Sequence, residues 1–143
     1  MDEVILNKTS SIQRCLQRIR STYARETGLA FADDFDRQDI VVLNLMRAAE
    51  QTLDLANYVV RKQQLGLPRN SKESFLLLGQ AGLISGDLAE ELGKMVGFRN
   101  MAVHEYQRGQ LATIISIVND HLVDFQRFTQ QILGQKDLFN SEP

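Results

Sequence analysis

Four polar residues of different chemistry stand within eight consecutive positions of the chain: Arg99, Asn100, His104 and Tyr106. A guanidinium binds phosphate through paired hydrogen bonds, and an imidazole takes up or releases a proton near neutral pH. An amide and a phenol add further hydrogen-bonding groups. These residue types at this spacing predict a site that binds a phosphate group and moves a proton.

At about 100° per residue, Arg99 falls on an apolar stripe of the helix that carries it. The stripe comprises Leu88, Leu92, Met95, Val96, Arg99, Ala102, Val103 and Tyr106. Asn100 and His104 are four residues apart and therefore neighbours on its flank. One interpretation is structural, since Arg99 can pair with Glu50 or Asp54 of a facing helix. The nearby imidazole, amide and phenol favour a functional interpretation.

The elements that must position this motif are helices, because apolar residues recur at three- and four-residue intervals and no hairpin signal is present. A first helix is predicted over residues 2–26. A second, longer helix follows the polar turn at residues 32–36 and ends near residue 65. A short helix is predicted over residues 71–80 and the motif helix over 86–106, with Ser85 as its cap.

A break near Gly109 precedes a last helix with a continuous apolar stripe. The stripe is formed by Leu111, Ile114, Ile115, Val118, Leu122, Phe125, Phe128 and Ile132. Residues 1–135 are predicted to form a single helical domain and residues 136–143 a C-terminal tail. The expected fold class is all-α, an antiparallel four-helix-type bundle with an additional short helix.

Composition limits the function. The 143 residues carry a formal net charge of −2, so the chain lacks the basic excess of proteins that coat nucleic acid, and any nucleic-acid site must be local. With one cysteine and two histidines, no disulfide framework or zinc-type spacing is present, and we expect neither a structural metal nor a cofactor. No signal peptide or membrane-spanning stretch is seen, which predicts a cytoplasmic protein.

Other candidate residues favour structural interpretations. His121 lies at the edge of the last apolar stripe without comparable polar companions one turn away, and Cys15 lies on the apolar face of the first helix. We therefore expect both to be structural. The arginines of the first helix form either an RNA-facing surface or, more ordinarily, a solvated face.

The motif residues fit Arg-x4-His-x-Tyr and resemble the signature of the HEPN superfamily, and their surroundings are similar to its HepT branch. The similarity extends over residues 36–134. It includes Leu67, Pro68, Phe75, Leu78, residues 82–84 and the run 92–100 in order and spacing. An Arg-x4-His pair alone is a weak signal, whereas this set is specific.

The resemblance implies a bundle that forms a homodimer through its motif helices, and a ribonuclease toxin of a toxin–antitoxin pair that cleaves RNA, a tRNA or an mRNA, without a metal. Arg99 and His104 are then the catalytic residues, and Asn100 supports phosphate binding. The implied partner is a minimal nucleotidyltransferase antitoxin that transfers AMP onto Tyr106 and forms a larger hetero-oligomer with the toxin.

Two other hypotheses remain open. The chain is alternatively a non-catalytic helical subunit that presents a substrate or nucleotide to a nucleotidyltransferase, with His104 as a hydrogen-bonding group. A purely structural bundle instead requires Arg99 to be buried against a carboxylate. Cleavage of RNA by the isolated chain distinguishes a ribonuclease from the non-catalytic helical subunit.

Overall fold

A computed structural model describes the backbone of residues 2–105 and 110–140 and the side chains of residues 2–97 and 110–138. Every regular element within these residues is a helix, which confirms the all-α prediction. None of the described helices combines the length and the hydropathy that a bilayer crossing requires.

Seven α-helices follow one another along the described residues. They are α1 (Glu3–Ala24), α2 (Phe35–Lys62), α3 (Ser71–Gln80), α4 (Gly86–Glu105), α5 (Leu111–Ser116), α6 (Leu122–Leu133) and α7 (Lys136–Asn140). The predicted last helix is divided, because a π-helical turn at Ile117–His121 separates α5 from α6. This turn shifts the register, so that both Ile117 and Val118 are buried.

Helices α1 and α2 form an antiparallel hairpin. The start of α1 lies beside the end of α2, since Asp2 accepts hydrogen bonds from Tyr58 and Lys62. Between the two ends, α1 buries Ile5, Ile12, Leu16 and Ile19, and α2 buries Val41, Leu45, Ala48, Leu55 and Val59. These residues recur at helical spacing and form the centre of the hydrophobic core.

A buried arginine closes the other end of the hairpin. The Arg37 guanidinium donates to the backbone carbonyls of Thr22 (3.2 Å), Tyr23 (2.9 Å) and Leu29 (3.1 Å), and lies 3.7 Å from Asp34. These carbonyls belong to the end of α1 and the loop after it, where the helix no longer supplies N–H groups to bond them. Arg37 therefore fixes the turn between α1 and α2.

The C-terminal segment differs from the prediction of a tail. Residues Lys136–Asn140 form α7, and Leu138 is fully buried in the core. Lys62 donates to the Leu138 carbonyl at 2.7 Å as well as to Asp2, and so ties α7 to the end of the hairpin where α1 begins and α2 ends. The predicted domain boundary at residue 135 therefore leaves α7 outside the domain, although α7 packs on the bundle.

Replacing Arg37 is expected to destabilise the fold. Arg37→Met keeps the length of the side chain but removes the donors for three carbonyls, so we expect the free energy of unfolding to fall by about 3 kcal/mol. Urea denaturation measures the change. The matched control is Arg61→Met, an exposed position of the same helix, where a change within about 0.5 kcal/mol is expected. Equal losses in the two variants would contradict the structural role of Arg37.

Because folding lowers the pKa of Asp2, the contribution of Asp2 to the stability of the fold depends on pH. Burial raises this pKa, but hydrogen bonds from Lys62, Tyr58 and the Ile5 N–H outweigh burial and lower it from 3.8 to about 2. The ionised carboxylate therefore stabilises the fold above pH 4, and this contribution is lost as the pH falls from about 4 to 2.

We expect Asp2→Asn to lower the free energy of unfolding by about 2 kcal/mol at pH 6, with the difference from the parent protein disappearing near pH 2. Urea denaturation at several pH values measures it. Glu3→Gln serves as the control, because Glu3 is exposed in the same helical turn. A loss for Asp2→Asn that is unchanged between pH 6 and pH 2 would refute the ion pair as its cause.

Candidate functional site

Helix α4 carries three of the four motif residues. The backbone is helical through Glu105, so Arg99, Asn100 and His104 lie on one continuous helix, as predicted. Their side chains lie outside the described residues, and Tyr106 lies outside them entirely. The arrangement of the site therefore follows from the backbone register of α4 and from the residues that hold this helix in place.

The start of α4 is anchored by α6. The Ser85 carbonyl accepts the first helical hydrogen bond, from Ala89, which places Ser85 at the predicted cap position. Arg127 donates to the Ser85 hydroxyl (3.3 Å) and to Asp87 (3.2 Å), while the Ser85 N–H donates to Gln131 (2.8 Å). Hydrogen bonds from Ser85 and Arg127 lower the pKa of Asp87. An ionised carboxylate in this first turn also stabilises α4 through its interaction with the positive end of the helix dipole.

The middle of α4 is buried along one face. Leu88 and Leu92 are fully buried and Val96 is 3% exposed, so the row at four-residue steps faces the core. Position 99 follows Met95 by four residues and continues this face, whereas positions 100 and 104 lie beside each other on its flank. The backbone register therefore places Arg99 in line with the buried face of α4, with Asn100 and His104 next to it. The predicted stripe is confirmed as far as Val96.

Helix α3 packs against α4 at two glycines. A Cβ atom added at Gly79 would lie 3.0 Å from the Cβ of Ala89, and one at Gly93 would lie 3.1 Å from the Cγ of Lys72. Both distances are shorter than most Cβ contacts, so a larger residue at either position would have to push its neighbour by a few tenths of an ångström. Close contact along α3 leaves α4 little freedom to shift along its axis or rotate.

A cleft of about 540 Å³ opens beside the later part of α4. Its walls are residues of α4 on one side and of α5 and the π-helical turn on the other. They are Glu91, Lys94, Met95, Gly97, Ala112, Thr113, Ser116, Ile117 and His121. The cleft therefore places a second histidine, His121, against the motif helix.

His121 has polar companions, contrary to the sequence-based expectation. Its Nδ1 lies 3.1 Å from the carboxylate of Asp124 and 4.0 Å from that of Glu91. Only the expected lack of polar companions was wrong, because Asp124, three residues further on, is buried beside the ring and Glu91 comes from another helix. Position 104 follows Glu91 by thirteen residues, about 20 Å along the helix axis. The backbone of position 104 is therefore far along α4 from the contact between His121 and Glu91.

Glu91, His121 and Asp124 form a group whose donor atoms lie within 4.8 Å of one another. Two carboxylates and an imidazole are ligands that zinc accepts. Lys94 already lies 3.6 Å from Glu91, and Arg127 lies 3.9 Å from Asp124. The charge of both carboxylates is therefore compensated by neighbouring side chains, and the group is accounted for as an ion-pair network.

The described residues also bear on the structural interpretations. Asp54, one of two carboxylates that the structural interpretation offers as a partner for Arg99, lies 3.6 Å from Lys8, and the other, Glu50, is exposed. Cys15 is 7% exposed, which confirms the prediction of a core residue. Burial raises its pKa, and this outweighs the opposing effect of nearby arginines, so the thiol is a poor nucleophile.

Comparison with known proteins agrees with this geometry. The sequence matches the family described as "Ribonuclease HepT-like" over residues 12–132. It is 46% identical to an "mRNA nuclease HepT" of Shewanella oneidensis over 135 residues, 94% of this chain and all of that protein. A "tRNA nuclease HepT" of Aphanizomenon flos-aquae is 22% identical over 71% of this chain and 69% of its own length.

Solved structures give the same result. A tri-AMPylated Shewanella oneidensis HEPN toxin in complex with MNT antitoxin superimposes with a TM-score of 0.86 at 44% identity. The match covers 94% of this chain and all of the solved chain. The likeness thus extends from the sequence to the arrangement of the helices. The chain belongs to the HepT-like ribonuclease family of HEPN proteins.

Proposed function

We propose that this protein is the toxin of a toxin–antitoxin pair, a metal-independent endoribonuclease of the cytoplasm that cleaves RNA at the Arg99–His104 motif. The observation that carries the proposal is the family match, which spans the motif, together with the 46% identity to a relative named as an mRNA nuclease over its full length. An mRNA substrate is favoured over a tRNA, since the relative named as a tRNA nuclease is only 22% identical.

The proposed reaction uses the ribose 2′-hydroxyl as nucleophile. A base removes the 2′-proton while O2′ bonds to phosphorus, and the P–O5′ bond breaks as an acid protonates the leaving O5′. His104 carries out the proton transfers, and Arg99 binds the phosphate and stabilises the charge that develops on its oxygens. Asn100, one helical turn before His104, orients the imidazole or the phosphate.

The need for both an acid and a base favours a homodimer. Each chain offers one motif histidine, and the other histidine, His121, contacts α4 at Glu91, about 20 Å along the helix axis from position 104. The second imidazole is therefore supplied by the motif helix of a second copy. Helix α4 can support such an interface, because α3 and α6 hold its start and middle in place.

Removing either catalytic side chain should abolish cleavage. We expect His104→Ala and Arg99→Ala to lower the rate at which purified protein cleaves RNA in EDTA by at least about 100-fold. Gel analysis of total RNA measures the rate, and intact mass confirms that each protein is unmodified. His121→Ala is the matched control and should cleave at the parental rate.

Two outcomes would contradict this assignment. Full activity of either motif variant would remove that residue from the mechanism. An unmodified parent protein that does not cleave RNA would favour the helical subunit that presents a ligand to a nucleotidyltransferase.

We further infer that a nucleotidyltransferase antitoxin neutralises the protein by AMPylating Tyr106. The supporting observation is the solved relative, an AMPylated HEPN toxin in complex with MNT antitoxin. The Tyr106 oxygen bonds to the α-phosphorus of ATP, the bond between the α- and β-phosphates breaks, and pyrophosphate leaves. The added phosphate places negative charge beside the phosphate site of Arg99, which opposes RNA binding.

The modification can be tested by mass. Incubation with antitoxin and ATP should add adenylyl groups to the parent protein and none to Tyr106→Phe, because the acceptor hydroxyl is gone. Tyr23→Phe is the control and should be modified like the parent, since Tyr23 packs on Phe31 near the end of α1. Adducts on Tyr106→Phe would rule out this tyrosine as the acceptor.

A further inference from the structure

A second cleft lies between α1 and α2, on helices other than the motif helix. It has a volume of about 420 Å³, and Arg14, Arg18 and Arg47 line it together with Asn44 and Cys15. Arg14 and Arg18 are one helical turn apart on α1, and Arg47 faces them from α2. We call this feature the arginine cleft.

The charges of the arginine cleft are not compensated by carboxylates. Within the described side chains, no carboxylate lies within ion-pair distance of these three arginines, and Arg14 donates only to the Ser10 hydroxyl. Glu50, three residues after Arg47, forms no ion pair with it. By contrast, Lys62 and Arg127 pair with carboxylates. Three like charges at one cleft repel each other, so an anionic ligand would relieve a real electrostatic cost.

The three arginines line the same cleft from two helices, and Cys15 lies among them. The charges of all three oppose the effect of burial on the pKa of the Cys15 thiol. The guanidinium groups are exposed and open to solvent. A planar guanidinium matches a phosphate group by donating two hydrogen bonds, and it loses less hydration than an ammonium does.

We propose that the arginine cleft binds the phosphodiester backbone of RNA away from the scissile phosphate. This inference rests on the proposed function, which makes RNA the substrate. The whole chain has 16 basic and 18 acidic residues and repels a polyanion, so the RNA needs a local positive surface to remain bound during cleavage. An acidic protein segment is the weaker fit, because the cleft offers no large apolar side chain as an anchor.

Binding of an RNA that cannot be cleaved tests the proposal without relying on catalysis. The probe is a fluorescent 2′-O-methyl RNA oligonucleotide, which lacks the 2′-hydroxyl nucleophile. We expect a triple variant with Arg14→Gln, Arg18→Gln and Arg47→Gln to bind at least about 10-fold more weakly at about 0.1 M salt. The slope of log K against log salt should decrease by about 2, as the loss of three phosphate contacts to a single strand predicts.

The matched control is a triple variant with Arg20→Gln, Arg61→Gln and Arg69→Gln. It changes the net charge by the same amount at exposed positions outside the cleft. We expect less than about a 2-fold change in its affinity. Thermal unfolding of both variants confirms that they are folded.

Three results would overturn the proposal. Equal losses in the two triple variants would indicate a general effect of charge, and no loss in either would remove the arginine cleft from RNA binding. Unchanged RNA binding with loss of antitoxin binding would assign the surface to an acidic protein. Failure of the proposed function gives a different result, in which the parent binds the 2′-O-methyl probe but does not cleave unmodified RNA.

Discussion

Burial of apolar side chains around α2 is the constraint on which the rest of the bundle depends. Helix α2 contacts α1, α3, α4 and α6, and it contributes buried residues along its whole length. Ala48, Ala49 and Ala56 are almost fully buried among them, and small side chains let the neighbouring helices approach closely. Helix α4 is therefore fixed from several sides before its motif begins, which gives the site a rigid support.

Polar groups complete this packing where helices end. Arg37 supplies donors for carbonyls at the end of α1, Lys62 connects Asp2 with Leu138, and Arg127 holds the start of α4. Arg37 and Lys62 donate to backbone carbonyls at or next to helix ends, and Arg127 pairs with the side chains that begin α4. Within the described side chains, the arginines of the arginine cleft differ, because none of them pairs with a carboxylate or with a carbonyl at a helix end. That contrast separates cations that serve the fold from cations free to bind a ligand.

The two histidines have different settings. His121 lies between Asp124 and Glu91 in an ion-pair network at the middle of α4, whereas His104 lies near the end of that helix. The distance along α4 between these two positions is the reason why the proposed reaction calls on a second copy. Modification of Tyr106, two residues beyond His104, would act on the same end of the helix.

The sequence by itself determined the helices and the motif. Helix α3 has the predicted bounds, the other long helices lie within a few residues of theirs, and Leu88, Leu92 and Val96 form the predicted buried row. Hydrophobic periodicity carries this information because it is local to each helix. The spacing of the motif residues is likewise local, which is why they could be recognised without a structure.

Only the tertiary structure decided the features that join distant parts of the chain. These include the burial of Leu138 in α7, the contact of His121 with Glu91, and the meeting of Arg47 with the arginines of α1. The π-helical turn changes the register within the last helix, which regular periodicity does not anticipate. The physical reason is common to all of them, since packing between helices sets which side chains meet, and no pattern within one helix encodes it.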